Sequence, residues 1–336
     1  MSQRQGPMLG REQAQDRQPQ PHQPVSSPGQ TTGNAGPQSP LELGVGGWKD
    51  TLKRVSKSFV RDRISISAGS LAYHWFLALF PAVIAAFGFL ALAQVGTSTV
   101  NRVVHGVEKA LPPGVSGVFS AAVHAATKQS SGSLVAVVVG IAVALWSASA
   151  SMSVLQQTLD VVYGVPVDRK FMARRARALP MMIATAVLGG VGAGVIVFGA
   201  PIASAIHGHV GLTGTPFNVV WTVVRWVVAV LAISLLFSVY YYLGPNREVP
   251  RWRWITAGGL FASALVLVAS LGFSFYVTRF GSYGETYGTF AGVVILIFWF
   301  YLVGLAALVG AEINADTEQR PAVQRGQPTP VAAETR

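Results

Sequence analysis

Five stretches of this chain, 64–101, 134–159, 179–206, 254–278 and 286–311, contain no acidic, lysine or arginine residue, and a sixth, 217–243, carries only Arg225. Each exceeds the ~20 residues that a helix needs to cross a hydrocarbon core of roughly 30 Å. Lipid offers no partner to an exposed backbone N–H or C=O, so apolar runs of this length form helices, which satisfy their own hydrogen bonds. The expected fold class is an all-α membrane protein, a bundle of six transmembrane helices with spans at about 66–94, 134–160, 179–206, 218–243, 254–279 and 287–313.

The ends differ from this core. Residues 1–45 are rich in Gln, Pro, Ser and Gly, with few large apolar side chains to offset the entropy of ordering. The expected organisation is therefore a disordered tail over 1–45, one membrane domain over 46–316 and a second disordered tail over 317–336. The first apolar run begins too late and runs too long for a signal peptide, so it is expected to persist as a span. The chain has no cysteine, which excludes a disulfide framework, a thiolate metal site and a catalytic thiol.

A formal charge of +11 would suit a nucleic-acid partner if it formed a patch, but here it sits at helix ends in alternating connections. Lys49, Lys53, Arg54, Lys57, Arg61 and Arg63 precede the first span. Arg169, Lys170, Arg174, Arg175 and Arg177 lie between the second and third, and Arg247, Arg251 and Arg253 between the fourth and fifth. The opposite connections carry His207 and His209, or Arg279 and Glu285 at a span edge. Cytoplasmic loops carry the excess of Lys and Arg. Both termini are therefore expected in the cytoplasm, with lipids and not nucleic acid as partners.

Short amphipathic interfacial helices are expected at Gly46–Arg63, where Trp48, Leu52, Val55, Phe59 and Val60 interleave with basic residues, and over Val103–Lys128. Gly190 and Gly194, Gly288 and Gly292, and Gly140 with Ala144 and Ala148 are spaced as helix-packing seams. Oligomeric state is not legible from them. Tyr240, Tyr241 and Tyr242, with Trp252 and Trp254, read as an interfacial aromatic belt.

Polar side chains inside such helices face a bundle interior, a cavity or headgroups. In the second span Ser149, Ser153, Gln156 and Asp160 follow one another at intervals that put all four on one helical face. Glu312 and Asn314 end the sixth span at similar expected depth, so Asp160 and Glu312 are candidates to flank one inward-facing cavity. Tyr73 and His74 of the first span join them, and Tyr283 and Tyr287 are candidates for the outer end. Plain alternatives stand beside these readings: Asp160 and Glu312 as helix-end residues paired with loop arginines such as Arg169 or Arg174, and His74 as a hydrogen-bonded packing residue.

Soluble chemistry has little foothold. The sequence has no GxxxxGK[ST] phosphate loop and no HExxH, and His207 and His209 lack a neighbouring carboxylate. A nuclease needs carboxylates and histidines able to hold two metals. The expectation is a protein that is not an enzyme and needs no cofactor.

Several motifs are specific enough to resemble a known family. They are Leu71-Ala72-Tyr73 followed by Leu79-Phe80-Pro81; Leu145-Trp146-Ser147-Ala148-Ser149 leading to Leu159-Asp160-Val161-Val162-Tyr163-Gly164; and Tyr242-Leu243-Gly244-Pro245-Asn246. To these are added Ser282-Tyr283-Gly284-Glu285-Thr286-Tyr287-Gly288 and Leu308-Val309-Gly310-Ala311-Glu312-Ile313-Asn314. Over about residues 50–316 the chain resembles the YihY/BrkB family of inner-membrane proteins, formerly labelled ribonuclease BN. Asp160 departs from that pattern, which favours asparagine. The resemblance implies a six-span membrane protein linked to envelope or lipid export and to virulence traits such as serum resistance, with the ribonuclease label a misassignment. The function expected is a transporter of a lipid or envelope precursor through a polar cavity, driven by the substrate gradient or by protons through Asp160 or Glu312. The alternative is a non-transporting scaffold for envelope enzymes, with a ribonuclease far behind.

Overall fold

The computed structural model describes residues 44–92, 134–166, 169–196, 215–247, 256–280 and 283–324, with isolated positions between them. Those residues form helices and turns, with no strand among them. In chain order the helices are α1 (Gly44–Arg61), α2 (Ile64–Leu92), α3 (Leu134–Val162), α4 (Phe171–Ala184), α5 (Thr215–Leu243), α6 (Ala257–Phe280) and α7 (Tyr283–Gln324). After α4 the chain winds through a π-helical turn at Thr185–Gly189 and continues helical to residue 196. The Thr185 hydroxyl donates to the Met181 carbonyl at 2.7 Å and meets the Tyr240 hydroxyl at 2.6 Å, serving backbone and neighbour together.

Among the described residues, five helical stretches are long and apolar enough to cross a membrane: Ile64–Val83, Phe171–Ile196, Phe217–Leu243, Ala257–Arg279 and Phe290–Glu318. The expected span at 134–160 is helical, but the described part of α3 carries Ser149, Ser151, Ser153, Gln156, Thr158 and Asp160, which dilute its hydropathy. The helix expected as the third span begins at Phe171 and not at 179, because Arg174, Arg175 and Arg177 lie in its first turns and not in a loop. α7 has 42 residues, roughly 63 Å at the rise of an α-helix, and so outruns a bilayer. It passes the expected 316 boundary because Asp316 and Glu318 are held by arginines from α1 and from the turn after α5.

α7 is the hub, packing on α6, α2, α1, α3 and α5, while α2 also lies along α3 and α5 along α6. Large side chains such as Leu71, Leu155, Leu159, Met181, Tyr241, Leu308 and Ile313 are fully buried where these helices converge. Val139, Val143, Val220, Val223, Val268, Leu271 and Phe298 point outward, as lipid-facing positions would.

Close approach between α6 and α7 comes from Gly258 and Gly310, which the sequence does not single out as a seam. A Cβ on Gly310 of α7 would stand 2.6 Å from each of the Ala262 Cβ, the Gly258 carbonyl oxygen and the Tyr241 hydroxyl. A Cβ on Gly190 or Gly194 would meet nothing within 4 Å, so that GxxxG is not a seam among the described residues. Tyr240 and Tyr241 are likewise buried core residues and not an exposed belt. Val103–Lys128, Trp252 and Trp254 lie almost wholly outside the described residues, while α1 takes up the helical segment expected at Gly46–Arg63.

Candidate functional site

The polar residues of α3 are buried at the end of the bundle that carries the arginines. Ser149 donates to the Trp146 carbonyl at 2.9 Å, accepts a short hydrogen bond from Arg175, and passes its own carbonyl to the Ser153 hydroxyl at 2.7 Å. One turn on, Gln156 is completely buried, and its amide is used at both ends. Nε2 donates to the Arg174 carbonyl and Oε1 accepts from Arg169, each at 3.1 Å. Asp160 accepts the Asn246 backbone N–H on Oδ1 at 2.6 Å.

Arg169 fixes the other side of this arrangement. Helix α5 ends at Leu243, leaving carbonyls without intrahelical partners. Arg169 donates to the Gly244 and Pro245 carbonyls at 2.6 Å each, while reaching Gln156 from the same guanidinium. A planar cation with forked donors suits this task as an ammonium could not. Asp160 and Arg169 thus grip the 243–246 turn from two sides, one through an N–H and the other through carbonyls.

A second cluster adjoins at the ends of α3, α5 and α7. Asn314 donates to the Tyr163 hydroxyl at 3.0 Å and to Glu318 at 2.6 Å. Arg247 pairs with Glu318 at 2.7 Å, and its guanidinium carbon lies 4.3 Å from the centroid of the Tyr163 ring. A third cluster joins α7 to the turn between α1 and α2. Asp62 accepts Arg61 Nε on Oδ1 at 2.7 Å and Nη2 on Oδ2 at 2.8 Å, and it meets the carboxyl of Glu312, whose side chain is buried. Burial works to raise the Asp62 carboxyl, but hydrogen bonds from Arg61 and Glu312 outweigh it and hold Asp62 below its ordinary range.

The expected site residues therefore fall into separate surroundings. Ser149, Ser153, Gln156 and Asp160 form one connected polar face; Asn314 belongs with Tyr163 and Arg247, and Glu312 turns to Asp62. Tyr73 is 55% exposed and points away from that face. The ring of His74 meets the Ser70 carbonyl at 2.8 Å, and its own carbonyl takes the Ser151 hydroxyl, tying α2 to α3. Tyr283 and Tyr287 lie in the first turns of α7, and their side chains are outside the described residues. Sequence reasoning missed the parts played by Asp62, Tyr163, Arg247, the 243–245 carbonyls and the Asn246 backbone N–H. Tyr163 and Gly244-Pro245-Asn246 nonetheless sit inside the motifs that carry the family resemblance.

A family model described as virulence factor BrkB matches residues 55–334. The ribonuclease-like protein YfkH of Bacillus subtilis (strain 168) is 31% identical over 269 residues, spanning 80% of this chain and 95% of that protein. A UPF0761 membrane protein of Methylibium petroleiphilum is 31% identical over 271 residues, covering 80% of this chain and 62% of its own length. Another from Aliivibrio fischeri (strain MJ11) is 30% identical over 276 residues, covering 80% and 83%. No solved structure matches.

Proposed function

The chain belongs to the virulence factor BrkB family, and we propose that it works there as a translocator of a lipid or envelope precursor. One observation carries the reading: a continuous polar face on a helix of 29 residues, with Ser149, Ser153, Gln156 and Asp160 all buried. Burying such groups inside a membrane bundle costs free energy that packing with apolar residues would avoid. A path for a polar headgroup is a reason to bear that cost, while acyl chains stay in lipid.

In this reading α3 also crosses the membrane, as the second of six spans in chain order, its 29 residues covering about 44 Å, and the arginine-rich end of the bundle faces the cytoplasm with both chain termini. The arrangement described is then the closed state of the cytoplasmic end. Arg169 bridges Gln156 to the end of α5, and Asp160 holds the same turn. Opening exchanges these internal partners for a headgroup, and a phosphate is a natural acceptor for the guanidinium that is released. The reading assigns no catalytic step to the chain and leaves the ribonuclease-like name with YfkH.

A reversible cross-link tests the gate. The chain has no cysteine, and an ideal Cβ on Gly244 falls 3.6 Å from that of Leu159, within disulfide range, while standing 2.6 Å from the Tyr240 carbonyl, which must move for the cysteine to fit. In proteoliposomes the Leu159→Cys, Gly244→Cys protein should move labelled lipid when reduced and stop when oxidised. Equal rates in both states would remove the gate from this turn.

A further inference from the structure

We propose that Arg225 of α5, seated against Gly199, is a binding site for the phosphate of a membrane-lipid headgroup. The proposal is independent of the translocation reading. Arg225 is the one charged residue of the crossing stretch Phe217–Leu243. About 27 Å of helix separates it from Leu243, where the Arg169 cluster lies, so it belongs to the opposite end of the bundle.

The chain makes room for this side chain. Arg225 lies on the face of α5 that packs on the helix continuing from α4, with Gly192 against Ala229, Ala232 and Ile233 at one level and Gly199 against Arg225 at another. A Cβ on Gly199 would collide with Arg225 Cδ and stand 3.0 Å from Nη1, so the guanidinium occupies a place that only glycine leaves open. The Gly199 carbonyl is itself taken, by the Trp221 indole N–H at 2.6 Å. Trp221 in turn stacks on Phe217, with ring centroids 6.4 Å apart. Glycine and tryptophan thus fix the seat, and neither accepts a hydrogen bond from Arg225.

What the seat lacks is an anion. Among the described residues nothing accepts from Arg225 and no carboxylate pairs with it, and its Nε is buried without a partner. A cation held this way in a membrane helix calls for an acceptor, and the forked donors of a guanidinium match the oxygens of a phosphate. Location makes a lipid its source. Helical side chains lean toward the N-terminus of their helix, which carries this guanidinium toward the level of Trp221, one turn or about 6 Å inside Phe217. Aromatic residues at such a level mark the membrane–water interface, where headgroup phosphates lie. Val223, Val224 and Val227 on the same helix are exposed and offer an apolar wall to the acyl chains.

Native mass spectrometry of the full chain, released from detergent after titration with phosphatidylglycerol, tests the site. The reference lipid is a diacylglycerol glycolipid with the same acyl chains and no phosphate. Wild-type protein should prefer phosphatidylglycerol, and Arg225→Gln should weaken one phosphatidylglycerol site roughly tenfold or more while leaving glycolipid retention unchanged. Arg225→Lys, which keeps the charge and loses the fork, should fall between them. Gly199→Ala keeps the arginine but fills its seat, and should weaken the same site. Equal phosphatidylglycerol affinity in wild type and Arg225→Gln overturns the proposal, as does a wild type with no preference for the phosphate-bearing lipid. Full affinity in Gly199→Ala overturns the seat. Displacement of the lipid by millimolar inorganic phosphate, to the level of Arg225→Gln, would make free phosphate the ligand and overturn the lipid assignment. Should Gly199→Ala fail to fold, the Arg225 series decides alone.

Discussion

Arg169 donates from Nη1 to the Gly244 carbonyl at 2.6 Å, closing the C-terminal end of α5 with a cation placed 75 residues earlier in the chain. The same nitrogen reaches Gln156 at 3.1 Å, so one guanidinium ties the polar face of α3 to the helix that packs beyond it. Replacing Arg169 with Ala strands the Gly244 and Pro245 carbonyls and the Gln156 amide oxygen together. The expected loss is about 2–4 kcal/mol, given ~1.5–3 kcal/mol for a hydrogen bond to a charged group and the added penalty of buried unpaired acceptors. Arg169→Lys should recover only part, because an ammonium lacks the fork. Thermal unfolding of the three proteins in one detergent checks the order.

The glycines make opposite predictions. Gly310→Ala forces a methyl to within 2.6 Å of α6 and of the Tyr241 hydroxyl, and the overpacking should cost about 1–3 kcal/mol. Gly190→Ala meets open space and should be neutral or stabilising by up to ~1 kcal/mol through helix propensity. Midpoint shifts of opposite sign, or a loss confined to Gly310→Ala, would agree with the packing described.

Tyr163 performs two tasks that substitution can separate. Tyr163→Phe removes the hydroxyl that accepts from Asn314 but keeps the ring beneath Arg247, so a loss of about 1 kcal/mol is expected. Tyr163→Leu removes both and should cost more. The difference between the two unfolding free energies isolates the contribution of the ring.

Acid should weaken the α1–α2 junction. Asp62 is held below its ordinary range in the folded chain, with burial opposed and outweighed by the bonds from Arg61 and Glu312. A depressed acid contributes stability that is fully present above its unfolded value and is lost as pH falls through the folded one. Wild-type stability should therefore fall at acidic pH more steeply than that of Asp62→Asn, in a series of unfolding midpoints from neutral downward.

Much of the frame is legible in the sequence, because lipid imposes one solution on a long uncharged run. The five candidate crossing helices overlap expected spans, and the one expected from 179 begins at Phe171, because an arginine run reads as a loop until its helical phase is seen. The shared face of Ser149, Ser153, Gln156 and Asp160 follows from helical spacing alone, and all four are buried. What they touch does not follow from spacing. Asp160 meets a backbone N–H from Asn246, 86 residues away, and Glu312 meets Asp62, which precedes it by most of the chain. Gly258 and Gly310 are hidden for the same reason, since they become a seam only once α6 and α7 are neighbours.

Translocation itself is tested most directly by purified wild-type protein in liposomes carrying fluorescent headgroup-labelled phospholipid, read by dithionite quenching against protein-free vesicles. Faster loss of the protected inner-leaflet signal, without leakage and slowed by Asp160→Asn, is the predicted result. A loss no faster than that of empty vesicles, across phospholipid and envelope-precursor headgroups, would contradict it and leave the chain a membrane scaffold.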